Sequence, residues 1–269
     1  MRSAGSLTAI FIGIVVAIGV ASSPNRAESQ NLSTSAPAGS DVASSCDEAA
    51  YMFVMGGVED LSALPDPERV ARYGPAVWSL VESLGGRYIV RETPDTVYEG
   101  DWPEWKAVLI SEWPCVETGR SFWNSDAYQN EVKPLRKDAG SYTVGMFPAG
   151  SLGAADGDTD LVPEACDDPY LIITLSTVTD TERYGNYGRA VRETRLARRA
   201  GFQYLFGGTP QEMLEGTWPD STRLIAAVLP CKAAWEAFYL GEQYQSEVKP
   251  LREGAGRFVI LGFTPERTP

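Results

Sequence analysis

Glu99 and Arg136 recur as Glu215 and Arg252, each 116 positions from its counterpart. A guanidinium holds a carboxylate or phosphate through two parallel N–H bonds, so Arg136 and Arg252 suit an anion clamp beside which Glu99 or Glu215 could move a proton. The competing use is structural: Glu99 with Arg136, and Glu215 with Arg252, would fasten a hairpin to a helix. Trp102 and Trp218 follow each Glu closely and read as hairpin packing or as ligand platforms. Tyr73, Tyr128, Tyr187 and Tyr244 read as helix residues leaning on a sheet, each with a phenol as polar handle. No residue can be assigned a catalytic role from its spacing.

Exclusions narrow the chemistry. The chain has no histidine, which removes the Ser-His-Asp triad and histidine-ligated zinc or haem. No cofactor and no metal is expected, and any reaction falls to carboxylates, Tyr, Lys, Arg or backbone. A formal charge of −13 argues against a nucleic-acid partner and against adhesion to anionic lipid. A small organic ligand fits better.

These side chains need a scaffold, and the sequence writes it twice. YQNEVKPLR at 128–136 returns as YQSEVKPLR at 244–252, and the offset of 116 holds without a gap back to Arg87 and Gln203. Each unit begins with an apolar strand, YMFVMG or YLIITLS. A helix follows, opened by Asp66 with Pro67 in the first unit and by Thr179 with Glu182 in the second. Gly85-Gly86 and Gly201 end those helices. RYIV and QYLF open a second strand that runs to the Glu-Gly-x-Trp-Pro turn, from which KAVLISEW and RLIAAVL return. A second helix spans 116 to about 130 and 232 to about 246, stopped by Pro134 and Pro250. SYTVGMF and RFVILGF close the units.

The order β-α-β-β-α-β is the ferredoxin-like unit, a four-stranded antiparallel sheet with both helices on one face. The fold class is therefore α+β. Two tandem copies can cover their bare sheet faces by packing sheet to sheet, giving a monomer with an internal pseudo-dimer. Strand direction then gathers 66–69, 99–103 and 131–136 at one end of unit 1, and their counterparts at one end of unit 2.

Residues 1–21 hold a short apolar run, LTAIFIGIVVAIGVA, and read as a signal peptide, with an N-terminal membrane anchor as the alternative. Residues 22–45 are a polar tail. The remaining boundaries are 46–147 for the first domain, 148–165 for a connector and 166–265 for the second domain. Export implies an oxidising periplasmic or extracellular setting. Cys46 and Cys166 precede the first strands, while Cys115 and Cys231 follow the third strands, which are their antiparallel neighbours. The expected disulfides are Cys46–Cys115 and Cys166–Cys231. A four-cysteine zinc site and the crossed pairing are the rivals.

Asp-x-x-x-Tyr near the first helix, the Glu-Gly-x-Trp-Pro hairpin, a Pro after strand three, then Tyr-Gln and Leu-Arg together resemble the DUF1330 family of the dimeric α+β barrel superfamily. The resemblance covers roughly 50–147 and 169–264. It implies ferredoxin-like units paired into a barrel and no established activity. An Arg-Gly-Gly-like bend often seen in that family's second strand is divided here: the first unit has Arg91-Glu92-Thr93, and the second has Gly207-Gly208-Thr209 without the Arg. The functional expectation is an exported, noncatalytic module that binds a small ligand or a partner in the cavity between sheet and helices. The alternative is a cofactor-independent enzyme, isomerase or oxygenase-like.

Overall fold

The computed structural model describes residues 46–150 and 159–266. The segments read as signal peptide and tail, and 151–158 of the connector, lie outside the described residues. Unit 1 comprises β1 (Ala50–Gly57), α1 (Pro67–Ala71), α2 (Tyr73–Ser83), β2 (Arg87–Glu92), β3 (Thr96–Glu99), β4 (Ala107–Trp113), α3 (Val116–Asn124) and β5 (Ser141–Pro148). Unit 2 comprises β6 (Tyr170–Val178), α4 (Thr181–Glu193), α5 (Leu196–Arg199), β7 (Gln203–Gly208), β8 (Glu212–Glu215), β9 (Thr222–Leu229), α6 (Lys232–Tyr239) and β10 (Gly256–Phe263).

β1 and β6 are apolar on both faces because each is sandwiched. One face meets helices and the other meets the opposing sheet. The sheets run β2-β4-β1-β5-β8 and β3-β10-β6-β9-β7, all antiparallel where paired. Four strands of each sheet are the ferredoxin-like set of one unit. The fifth comes from the other. Side chains alternate across the pleat, so Phe53, Phe147, Leu171, Ile173, Phe206 and Phe263 fill the space between the sheets. The result is an intramolecular dimeric α+β barrel.

The exchanged fifth strand corrects the reading of strand two as one continuous element. β2 and β3 are separated at Pro94, and β7 and β8 at Pro210, where the chain lacks an N–H to continue its ladder. Beyond the break the arm changes sheets: the Asp95 amide donates to the Gly262 carbonyl at 2.9 Å and the Gln211 amide to Met146 at 2.8 Å.

Two other elements differ from the sequence reading. The cap of α4 is Asp180 rather than Thr179; its carboxylate accepts from the Arg183 amide at 2.9 Å, as Asp66 does from Arg69. The second helices are also interrupted. Ser125 is extended after α3, and the repeated phrase forms a π turn, Ala127–Val132, then a 3-10 turn, Lys133–Arg136. Tyr244–Val248 and Lys249–Arg252 repeat this in unit 2.

Disulfides join Cys46 to Cys115 and Cys166 to Cys231, which leaves neither the zinc site nor the crossed pairing. No described helix is long and apolar enough to cross a membrane.

Candidate functional site

The repeated phrase turns an arginine inward. The Gln129 side chain donates to the Trp123 carbonyl, and Gln245 to that of Tyr239, bracing the π turn. Lys133 and Lys249 lie over the Trp123 and Tyr239 rings. Arg136 and Arg252 end the phrase buried, with 8% and 4% of the side chain exposed. Arg69 and Arg183 tie the first helices to the same end of their units through the carbonyls of Pro134, Lys137 and Glu253.

Each buried arginine meets a carboxylate, but not the expected one. Arg252 donates to both oxygens of Glu99 at 2.6 Å, and Arg136 to both oxygens of Glu215 at 2.8 and 2.6 Å. Glu99 does not pair with Arg136, nor Glu215 with Arg252, because β3 and β8 have crossed to the opposite unit. Burial pushes the Glu99 carboxyl up, but hydrogen bonds from Arg252 and Tyr239 outweigh it and hold the group below its usual range. Burial likewise opposes, and Arg136 and Lys133 outweigh, at Glu215.

Behind each arginine, between helices and sheet, lies a cavity, and the two are built from equivalent positions. Met52, Tyr73, Tyr88, Leu109, Tyr128 and Arg136 line one. Ile172, Tyr187, Tyr204, Ile225, Tyr244 and Arg252 line the other. Their volumes differ widely, about 50 Å³ in unit 1 and about 740 Å³ in unit 2. Only the second falls in the range that encloses small organic ligands, about 300 to 1,000 Å³.

Three substitutions between the copies account for the difference. In unit 1 the Arg91 guanidinium stacks on Trp78 at 4.2 Å and on Tyr88 at 4.8 Å, held by Glu266 from the segment after β10. The corresponding residues in unit 2 are Gly207, Arg192 and Gly150. The correspondence is visible in the backbone, since the Glu266 amide donates to Ile89 and the Gly150 amide to Leu205, the residues two before Arg91 and Gly207.

The open cavity is mostly apolar and aromatic, with Phe202, Tyr204, Phe238, Phe258 and Ile260 in its wall. The Tyr187 and Tyr244 hydroxyls meet at 3.0 Å, and burial pushes the Tyr187 phenol well above its ordinary value, so it remains protonated at neutral pH. Among the described residues the Trp235 indole N–H and the Arg252 Nε–H are buried without a hydrogen-bond partner, and so is the Arg136 Nε–H of unit 1. Tyr98, carried in on the arm from unit 1, packs edge-on against Trp235 at 5.4 Å.

Of the six residues singled out from sequence, Arg252 lines the open cavity and Arg136 the closed one. Glu99 and Glu215 stand behind them as counter-charges. Trp102 and Trp218 line neither; their indoles donate to Lys106 and Thr222 within their own hairpins, and Trp218 packs on Phe53 and Phe147. Trp235 was missed, although the repeat marks it: its counterpart is Gly119, 116 positions earlier.

The model of the domain of unknown function DUF1330 matches residues 58–147 and 168–262. No curated protein matches the chain. Among solved structures, an anthrone oxidase-like protein is 12% identical with a TM-score of 0.49, the match covering 83% of this chain and 93% of that one. Chlorite dismutase from Candidatus Nitrospira defluvii, in complex with imidazole, is 13% identical with a TM-score of 0.47, covering 82% and 92%.

Proposed function

This chain belongs to the DUF1330 family, whose name carries no activity, and we propose from its own geometry that unit 2 binds a small organic molecule in the cavity between its helices and sheet. The observation that carries the reading is the cavity of about 740 Å³ itself, an apolar and aromatic enclosure of ligand size with a few polar groups, Tyr187, Tyr244 and Arg252, in its wall. Unit 1 then serves as scaffold: its arm supplies Glu99 and Tyr98 to the site, while its own cavity is closed. Export is supported by the two disulfides, which persist in oxidising compartments, and by the apolar run near the N-terminus.

A second reading, a cofactor-independent isomerase or oxygenase-like enzyme, draws on the Tyr187–Tyr244 pair inside the cavity. A general base near neutrality is what it needs. Burial keeps the Tyr187 phenol protonated, and Glu99 is committed to Arg252 and Tyr239, so binding is the better-supported function.

The test copies the plug of unit 1 into unit 2. N-phenyl-1-naphthylamine, a neutral dye that brightens in apolar surroundings, should titrate the unaltered protein to one site per chain. Gly207→Arg with Arg192→Trp should abolish that signal while the protein stays folded by circular dichroism. Equal dye binding in the folded variant would contradict the cavity as the site.

A further inference from the structure

The chain is acidic overall, with 36 Asp and Glu against 23 Lys and Arg, yet the wall of the open cavity and the helical stretch 183–199 beside it are basic. Among the described residues lining it there are three arginines, Arg192, Arg223 and Arg252, and no Asp, Glu or Lys. Arg252 is neutralised by Glu99. The other two are different. Arg192 and Arg223 make no ion pair with a described residue, and both are exposed, so they stand where the cavity meets solvent.

Both positions face the cavity for local reasons. Arg223 shares the helix-facing side of β9 with Ile225 and Ala227, while Leu224 and Ala226 point into the space between the sheets. Arg192 lies on α4, and a side-chain carbon at Gly188 would sit 3.6 Å from its Nη1, so the guanidinium folds back along the glycine face of the helix. The counterparts in unit 1 are Trp78 and Ala107, neither charged, and there the cavity is closed. Uncompensated cations therefore accompany the open copy alone.

Building on the binding reading above, we infer that the occupant of unit 2 is an organic anion: an apolar, ring-sized body lies among Phe202, Tyr204, Phe238 and Phe258, and its carboxylate or comparable acidic group faces Arg192 and Arg223. A neutral molecule of the same shape would leave both guanidinium groups to water alone, whereas an acidic group at the mouth would gain charge-assisted hydrogen bonds from them. The net negative field of the protein slows the approach of such a ligand, and the two arginines offset that repulsion locally.

Two dyes differing by one group test this. 8-Anilino-1-naphthalenesulfonate carries the sulfonate that N-phenyl-1-naphthylamine lacks, and each is titrated into the full chain and into an Arg192→Gln/Arg223→Gln variant at low and high salt. The expected result is that the anionic dye binds at least about fivefold more tightly than the neutral one, and that the variant or high salt removes this advantage while the neutral dye binds unchanged. Equal affinity of the two dyes, or an advantage that survives in the variant, overturns the assignment of an anion but leaves the cavity as a binding site. If the neutral dye fails to bind the unaltered protein, the binding reading falls and this inference with it.

Discussion

Glu99 and Arg252 are 153 positions apart in the chain and share two hydrogen bonds of 2.6 Å, each residue belonging to a different unit. Glu215 and Arg136 repeat the bond in the opposite direction, so the two halves are locked by a reciprocal pair of arms. Arg252 is also a wall of the open cavity. The clamp that joins the units is thus continuous with the site.

Removing one partner strands a buried charge. Arg252→Ala and Glu99→Ala are each expected to cost about 3 kcal/mol, lowering Tm by roughly 10 °C, and the double variant should cost clearly less than the sum. Thermal melts of the four proteins check this. Strict additivity would mean that the two groups do not interact.

Both carboxyls of the clamps are held below the ordinary glutamate value of 4.5 in the folded protein. A depressed folded value means that the contribution is full above the unfolded value and is lost as pH falls through the folded one. Stability should therefore decline below about pH 4.5. Glu99→Gln with Glu215→Gln should be less stable at neutral pH and show a shallower acid decline, measured by urea unfolding across that range. An unchanged acid slope would show that the clamps do not carry it.

The loops closed by Cys46–Cys115 and Cys166–Cys231 span 69 and 65 positions. Each bond should stabilise its unit by about 4 kcal/mol in the chain-entropy account. Peptide mapping without reduction should recover those two linked pairs, and reduction should lower Tm. Crossed peptides or four free thiols would contradict the strand order.

The duplicated ferredoxin-like units were legible because nearly every letter that repeats is structural: the phrase at 128–136 and 244–252 encodes a π turn and a buried arginine, and Glu-Gly-x-Trp-Pro encodes a hairpin. The partners of those arginines were not legible. A repeat assigns Glu99 equally well to Arg136 and to Arg252, and only the exchange of arms at Pro94 and Pro210 decides between them. The open cavity was hidden for the opposite reason. It depends on what does not repeat, Gly207 against Arg91, Arg192 against Trp78 and Gly150 against Glu266, and single differences carry no periodicity to draw attention.

The central claim is that one cavity of two equivalent ones is a binding site. A crystal structure of the protein purified from its natural host measures this most directly. The account predicts density for one small molecule in unit 2, packed among Phe202, Tyr204, Phe238 and Phe258, with Arg91 still stacked on Trp78 in unit 1. A collapsed cavity in unit 2, or one filled by the protein's own side chains, would contradict it.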